Sequence, residues 1–270
     1  MPRFQIFSRP DAYIGFCGHL RCRIATRKIP EAPLFMCPIR AMFVTDTHLT
    51  ARTSDDDCLS FVRQIARAKP DLLLLGGDYA DECVHARRLF SAMKGLRPPL
   101  GIYAVMGNND REAWPSPDRL AAAMHESGIT LLINRAVNIP TGGGHLIIAG
   151  VDEYKNGIPD AEGLYPDVPS PDRYRLLISH YPVLPKVFPD LMLSGHTHGG
   201  QFNLMGITPY TVGFERLSSR KPALSYIAGI HRFGGMISLT GKGIGASRIP
   251  MRIGVCPQMD LMQFVQSEQC

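Results

Sequence analysis

No stretch of this 270-residue chain approaches the ~20 uninterrupted apolar residues of a membrane-spanning helix. The N-terminus also lacks the apolar core of a secretory signal, so the expectation is a cytoplasmic protein that is not exported. Its seven cysteines include no C-x-x-C pair and no metal-finger spacing. An odd count without those spacings fits reduced thiols, and Cys58 and Cys83 fall in helical patterns as small core residues. Internal repeats, low-complexity segments and linkers are absent, which leaves one large core as the default for this length.

Excess positive charge is confined to the start. Residues 1–40 hold seven Lys/Arg against two acids, and the remainder holds 22 of each sign, so the net charge of +5 is all N-terminal. Without a basic groove elsewhere, and with no aromatics interleaved among the leader's charges, nucleic acid is not an expected partner. The leader reads as a solvated tail, or as a peripheral contact with an anionic inner membrane through residues 1–40. Residues 1–37 form a basic extension whose RCRIATRKIP alternation suits an edge strand, and 38–270 form a single domain.

Six apolar runs are present: PIRAMFVT (38–45), DLLLLGG (71–77), GIYAVMG (101–107), GGHLIIAG (143–150), RYRLLIS (173–179) and DLMLSG (190–195). Continuous rather than alternating hydrophobicity marks strands covered on both faces. Helical patterns intervene. Ser54 and Asp57 resemble a capping box before Leu59, Val62, Ile65 and Ala66, residues 80–96 follow suit, and 118–127 end at Gly128. Beyond 200, short apolar runs such as ALSYIAGI and GMISLT between glycines predict strands that close a second sheet.

Polar residues cluster where these strands end. Asp46 and His48 follow the first run, Asp78 the second, Asn108, Asn109 and Asp110 the third, His180 the fifth, and His196 and His198 the sixth. Each has a bland alternative: MGNND as a turn, Asp46 or Asp78 as a helix cap, His180 as a hydrogen-bonded core histidine. Ligands in α/β sheets sit at the carboxyl ends of strands, so five such ends converging on one crevice outweigh five coincidences. Aspartates, imidazoles and a carboxamide suit first-row divalent ions, and they are too many for one tetrahedral ion. Two ions bridged by a carboxylate and a water would use them all, and that water is hydroxide near neutral pH.

Asp46-x-His48, Gly77-Asp78, Gly107-Asn108-x-Asp110, His180 and Gly195-His196-x-His198, in this order, resemble the calcineurin-like metallophosphoesterase superfamily over about residues 40–200. GHTHGGQ, GITPY and SLTGKGIGASRIPMRIG are similar to a bacterial branch typified by YkuE, YaeI and the LpxG-type UDP-diacylglucosamine hydrolases. The resemblance implies a four-layer α/β/β/α sandwich of two mixed β-sheets flanked by helices. It further implies two divalent ions (Mn, Fe, Zn or Co), one held by Asp46, His48 and His198, the other by Asn108, His180 and His196, with Asp78 bridging.

The family motif G-N-H-D has a histidine where this chain has Asn109. A carboxamide donates a hydrogen bond to a phosphoryl oxygen but delivers no proton. Asn109 and Asp110 are therefore the catalytic-loop candidates, Asn109 facing the phosphate and Asp110 orienting the loop. His125, His145 and His231 are candidate replacement donors, Gly199, Gly200 and Gln201 a tight turn, and Trp114 and Tyr79 either entrance or packing residues. The expected enzyme cleaves a phosphodiester or pyrophosphate bond by a metal-bridging hydroxide, on a small molecule or a nucleotide-lipid such as UDP-diacylglucosamine. Alternatives are a nucleotide phosphodiesterase and a catalytically weakened binding protein on the same scaffold.

Overall fold

Four consecutive leucines, Leu72–Leu75, have no polar side to offer water, and all four are buried. That strand lies mid-sheet in the computed structural model, which describes residues 13–165, 170–212 and 226–266. Residues 1–12 of the basic leader and 223–225 of the ALSYIAGI run lie outside the described residues.

The strands are β1 (Ile14–Phe16), β2 (Arg23–Ile29), β3 (Arg40–Val44), β4 (Leu72–Leu75), β5 (Ile102–Ala104), β6 (Thr130–Leu131) and β7 (Arg135–Thr141). They continue with β8 (Gly144–Gly150), β9 (Arg173–Ile178), β10 (Leu191–Ser194), β11 (Gly229–Phe233), β12 (Met236–Thr240), β13 (Met251–Ile253) and β14 (Gln258–Phe264). The α-helices are α1 (Asp55–Ala68), α2 (Cys83–Met93), α3 (Asn108–Ala113) and α4 (Pro117–His125). One six-stranded sheet runs β2-β14-β3-β4-β5-β6 and the other β11-β12-β10-β9-β8-β7. β3 to β6 are parallel, as are β8, β9, β10 and β12, while β14, β7 and β11 join antiparallel neighbours β3, β8 and β12.

The two mixed sheets pack face to face. Phe43, Leu72 and Leu74 of the first meet Leu146, Ile148, Leu176, Ile178, Leu191 and Leu193 of the second. The first sheet's outer face packs Met42, Val44, Leu73 and Leu75 against Phe61 and Ile65 of α1, Leu89 and Phe90 of α2, and Leu120 of α4. The second sheet's outer residues, among them Ile147, Leu177 and Met192, pack under Tyr165, Leu164 and Leu184. This α/β sandwich places the carboxyl ends of β3, β4, β5, β9 and β10 at one edge.

Several expectations shift. Helix α1 has the capping box between Ser54 and Asp57, but its buried stripe is Cys58, Phe61, Val62 and Ile65, and Leu59 and Ala66 face outward. The chain beyond 200 does not merely close the second sheet. β11 and β12 join it, but β14 returns to the first sheet, between β2 and β3. β7, with Asn138 and Pro140 interrupting its pattern, was not legible as a strand. It lies at a sheet edge, where a proline's missing N–H is tolerated.

The edge strand β2 is fastened to β14 by charge. Arg27 Nε donates to Asp260 Oδ1 at 2.7 Å, and Gln258 Nε2 donates to the same oxygen at 2.6 Å. Asp260 is buried, and its pKa is raised by that burial although Arg27 pulls the other way. Arg27→Met strands a buried carboxylate and is expected to cost about 2–3 kcal/mol in urea unfolding at neutral pH, less than a fully buried pair because Arg27 touches water. Without the guanidinium Asp260 protonates at still higher pH, so the penalty should shrink as pH falls; a pH-independent loss would contradict this origin.

Candidate metal centre

Five residues at the strand ends carry left-handed backbone that non-glycine residues seldom adopt: Asp46 (φ 53°), His48 (41°), Asp78 (56°), His196 (68°) and His198 (52°). Such strain persists only where the surroundings over-determine it, and it concentrates at functional sites. Here the neighbouring backbone locks it. Asp46 N–H donates to Gly77 O, His48 N–H to Asp78 O, and Gly245 N–H to Asp46 O. Gly107 and Gly195 complete the fit, because a Cβ on the first would collide with the Asp78 carboxylate and one on the second with Thr45 and Asp46.

Two clusters result. Asp46, His48 and His198 offer ligand atoms mutually within 4.8 Å, and so do Asp78, His180 and His196. Asp78 stands between them: its Oδ2 is 3.4 Å from His48 Nε2 and 3.4 Å from His180 Nε2. Both of those ring nitrogens are buried and make no hydrogen bond. Atoms bound at about 2.0–2.2 Å to one ion sit roughly 3–3.5 Å apart, so the spacing fits divalent cations better than direct contacts. The oxygen and nitrogen donor set fits the same class of ion.

Supporting contacts orient each ring. His180 Nδ1 lies 2.8 Å from Gly76 O, which turns Nε2 toward Asp78. Asn109 N–H donates to Asp78 Oδ1 at 2.9 Å, leaving Oδ2 to face the imidazoles. Asp110 is buried and accepts from Gly107 N–H, Asp78 N–H and Tyr79 N–H at 2.9, 2.7 and 2.9 Å. It is thus the clamp joining the loops after β4 and β5, in a short helix, α3, rather than the plain loop the sequence suggested. Asn109 turns its amide onto its neighbours, with Oδ1 accepting from Asn108 Nδ2 at 2.7 Å and Nδ2 lying 3.2 Å from His48 Nδ1.

Other participants escaped the sequence reading. Arg252, wholly buried, brings Nη2 to 3.1 Å from His198 Nδ1 and donates Nη1 to His198 O and Lys242 O. Tyr181 donates to Asn108 Oδ1 at 3.1 Å and stacks on His196 at 3.9 Å between ring centroids. Asp81 Oδ1 lies 3.6 Å from His48 Nδ1. Asp81, three residues after Asp78, and Tyr181, directly after His180, had a signal in their position; Arg252 lies in the SLTGKGIGASRIPMRIG segment, whose pattern does not say which of its two arginines turns inward.

The remaining candidates divide. Gly199, Gly200 and Gln201 make the tight turn, all with positive φ, and Gln201 Nε2 donates to Ser247 O, Ile249 O and Met251 O. Trp114 and Tyr79 are packing residues: Trp114 stacks on Phe90, and Tyr79 donates to Val105 O. None of the candidate replacement donors belongs to either cluster. His145 is the second residue of β8 and His125 ends α4, both toward the amino ends of parallel strands, and His231 is bonded to Ala228 O. A cavity of about 260 Å³ beside His48 is lined by Tyr13, Phe16, Cys17, Arg21, Thr47 and Ile244. A larger cleft of about 760 Å³, lined by Arg173, Tyr174 and Asp190, contains none of the clustered residues.

Charge in this buried edge is concentrated. Burial lowers the basicity of His48 and His180, yet Asp78 and its neighbours outweigh it and push them up to about 10 and about 9. Asp78 is held well below the usual carboxylate range because the same imidazoles overcome its burial. Burial, then the Asp78 charge, pushes Asp110 up to about 7. His198 is pressed well below its ordinary value by burial, His48 and Arg252.

Paired clusters of oxygen and nitrogen donors at the ends of strands from two stacked sheets form a candidate two-metal centre on an α/β sandwich. The sequence profile of the calcineurin-like phosphoesterase family matches residues 39–200, and the chain belongs to that family; it is a metal-dependent phosphoesterase. It is 28% identical to the phosphodiesterase YaeI of Escherichia coli (strain K12), over 93% of this chain and 89% of that one. An uncharacterized metallophosphoesterase of Aquifex aeolicus is 30% identical over 85% of each chain. The metallophosphoesterase YkoQ of Bacillus subtilis is 29% identical over 72% of each.

Cations entering this site must displace protons from His48 and His180. Calorimetric titration with Mn²⁺ in buffers of different ionisation enthalpy is expected to show one to two protons released per protein at neutral pH. Apparent affinity should strengthen as pH rises through about 9 to 10, where those imidazoles lose their protons. Binding without proton release would contradict the arrangement.

Proposed function

We propose that the chain hydrolyses a phosphodiester or pyrophosphate bond at a pair of divalent ions, Mn, Fe, Zn or Co. Asp46, His48 and His198 hold one, Asn108, His180 and His196 the other, and Asp78 bridges. The observation that carries this is the single oxygen, Asp78 Oδ2, standing 3.4 Å from imidazoles of both clusters. Bound there, the ions would supply Lewis-acid charge to the phosphoryl oxygens and acidify the attacking water.

The chain's own residues decide what can react. Asn109, whose amide turns onto Asn108 and His48, has no proton to deliver to a leaving group. Asp110 keeps its carboxylate on three backbone N–H groups and acts by holding the loop. Esters whose leaving groups need little protonation, pyrophosphates and aryl phosphates, are therefore favoured over alkyl esters. A nucleotide-lipid pyrophosphate such as UDP-diacylglucosamine meets that condition. A nucleotide phosphodiesterase is the second reading, favoured by the resemblance to YaeI, itself named a phosphodiesterase. A binding protein without turnover would have no use for a complete ligand set. In the cell we place the enzyme in the cytoplasm, peripheral to the inner membrane.

Purified, Mn-reconstituted protein is expected to hydrolyse bis-p-nitrophenyl phosphate, and Asp78→Asn to lose turnover and retained metal together. Retained metal with no turnover on aryl or pyrophosphate esters would refute the reading. Asn109→His should raise turnover of alkyl phosphodiesters by about 10²-fold while moving aryl esters little. An equal effect on both would show that protonation of the leaving group is not what Asn109 withholds.

A further inference from the structure

The short sheet of β1 and β13 has two unlike faces. Gly15 pairs with Arg252, whose side chain is wholly buried and reaches His198. Side chains alternate along a strand, so Ile14 and Phe16, opposite Ile253 and Met251, project together from the other face. Ile14 is 77% and Phe16 81% exposed. Phe202 bridges to Ile253, and the hairpin that follows exposes Leu204, Ile207 and, at 92%, Met205 at its tip. Exposed apolar residues are ordinary when scattered, but their gathering on adjoining strands and a hairpin marks an interaction surface.

Charge selects the partner. Residues 13–22, 199–212 and 241–257, which build this edge, contain no Asp or Glu, Asp57 reaches it only against His19, and Arg21 and Arg248 in them are exposed. Set against itself in a two-fold dimer, the face would bring these cations toward one another. An anionic surface with an apolar interior satisfies both parts of it. Phe16 and Arg21 also line the cavity that His48 borders, so the face adjoins the edge of the clustered residues at His48.

We propose that this face seats on an anionic lipid surface, with Ile14, Phe16 and Met205 entering the acyl boundary and Arg21 and Arg248 meeting headgroup phosphates. The mouth of the His48 cavity then lies at the membrane, where a lipid-linked phosphoester can enter it. This deepens the lipid-linked reading of the substrate and rests on it for its purpose. The basic leader adds attraction but no depth, so variants of the face itself distinguish the two.

The full chain should sediment with vesicles of phosphatidylglycerol and phosphatidylcholine and remain in solution with phosphatidylcholine alone. Arg248→Gln should lower partitioning about fivefold, the share of one cation near an acidic surface. Ile14→Asp combined with Met205→Asp should lower it further, with turnover of soluble bis-p-nitrophenyl phosphate unchanged, which also shows that the variants fold. Absence of sedimentation, or equal sedimentation of the variants, overturns the proposal. A dimer in light scattering that the paired aspartates dissociate assigns the face to a second copy and overturns it as well. If soluble esters are not hydrolysed yet vesicles are bound through this face, the hydrolase reading fails and the docking surface stands.

Discussion

Three aspartates, Asp46, Asp78 and Asp110, are buried at one edge of the sandwich with 0%, 2% and 0% of their surface exposed. Negative charge removed from water is strongly unfavourable unless cations or donors neutralise it. Much else at this edge offsets that charge. Asp110 is met by three backbone N–H groups, Asp46 by His196 N–H and the Thr45 hydroxyl, and Asp78 by Asn109 N–H and two imidazoles. In the metal-free protein the protons on His48 and His180 supply the missing positive charge; divalent ions, when bound, supply it instead. Protons and metal are thus alternative answers to one electrostatic demand.

That demand explains why the clustered side chains sit where the backbone is strained. A strand delivers its end residue along its own axis, whereas the centre lies between two sheets and off each axis. Turning the side chain sideways takes one left-handed residue, which Asp46, His48, Asp78, His196 and His198 each supply. The strain holds because both sheets are packed through the shared core beneath, and because Gly107 and Gly195 let neighbouring carboxylates approach the backbone. Precision at the site is therefore a property of the sandwich rather than of its loops.

What sequence could show follows the same division. Continuous apolar runs and the polar residues after them are local patterns, so β3, β4, β5, β8, β9 and β10 and their end residues were legible. Nonlocal placement was not. Nothing in QMDLMQF says that β14 inserts between β2 and β3, and nothing in RIP-M-R-I-G says that Arg252 turns inward while Met251 and Ile253 turn out. Leu59 was misassigned because a helical stripe read from apolar residues alone shifts when the helix also exposes one of them.

Asn109 shows how a single replacement redistributes work within the site. With His48 Nε2 directed at Asp78, its Nδ1 carries a proton whether the ring is charged or holds an ion, and needs an acceptor. The nearest groups are the Asn109 amide at 3.2 Å and the Asp81 carboxylate at 3.6 Å. The amide meets the need only by turning its oxygen over, which removes that oxygen from Asn108 Nδ2; Asp81 meets it by a small approach from a partly exposed position. The Asn109 side chain is engaged with Asn108 and His48, and its backbone N–H with Asp78. The loop consequently spends its polar groups on holding the clustered side chains, which on the proposed reading leaves the departing group unassisted.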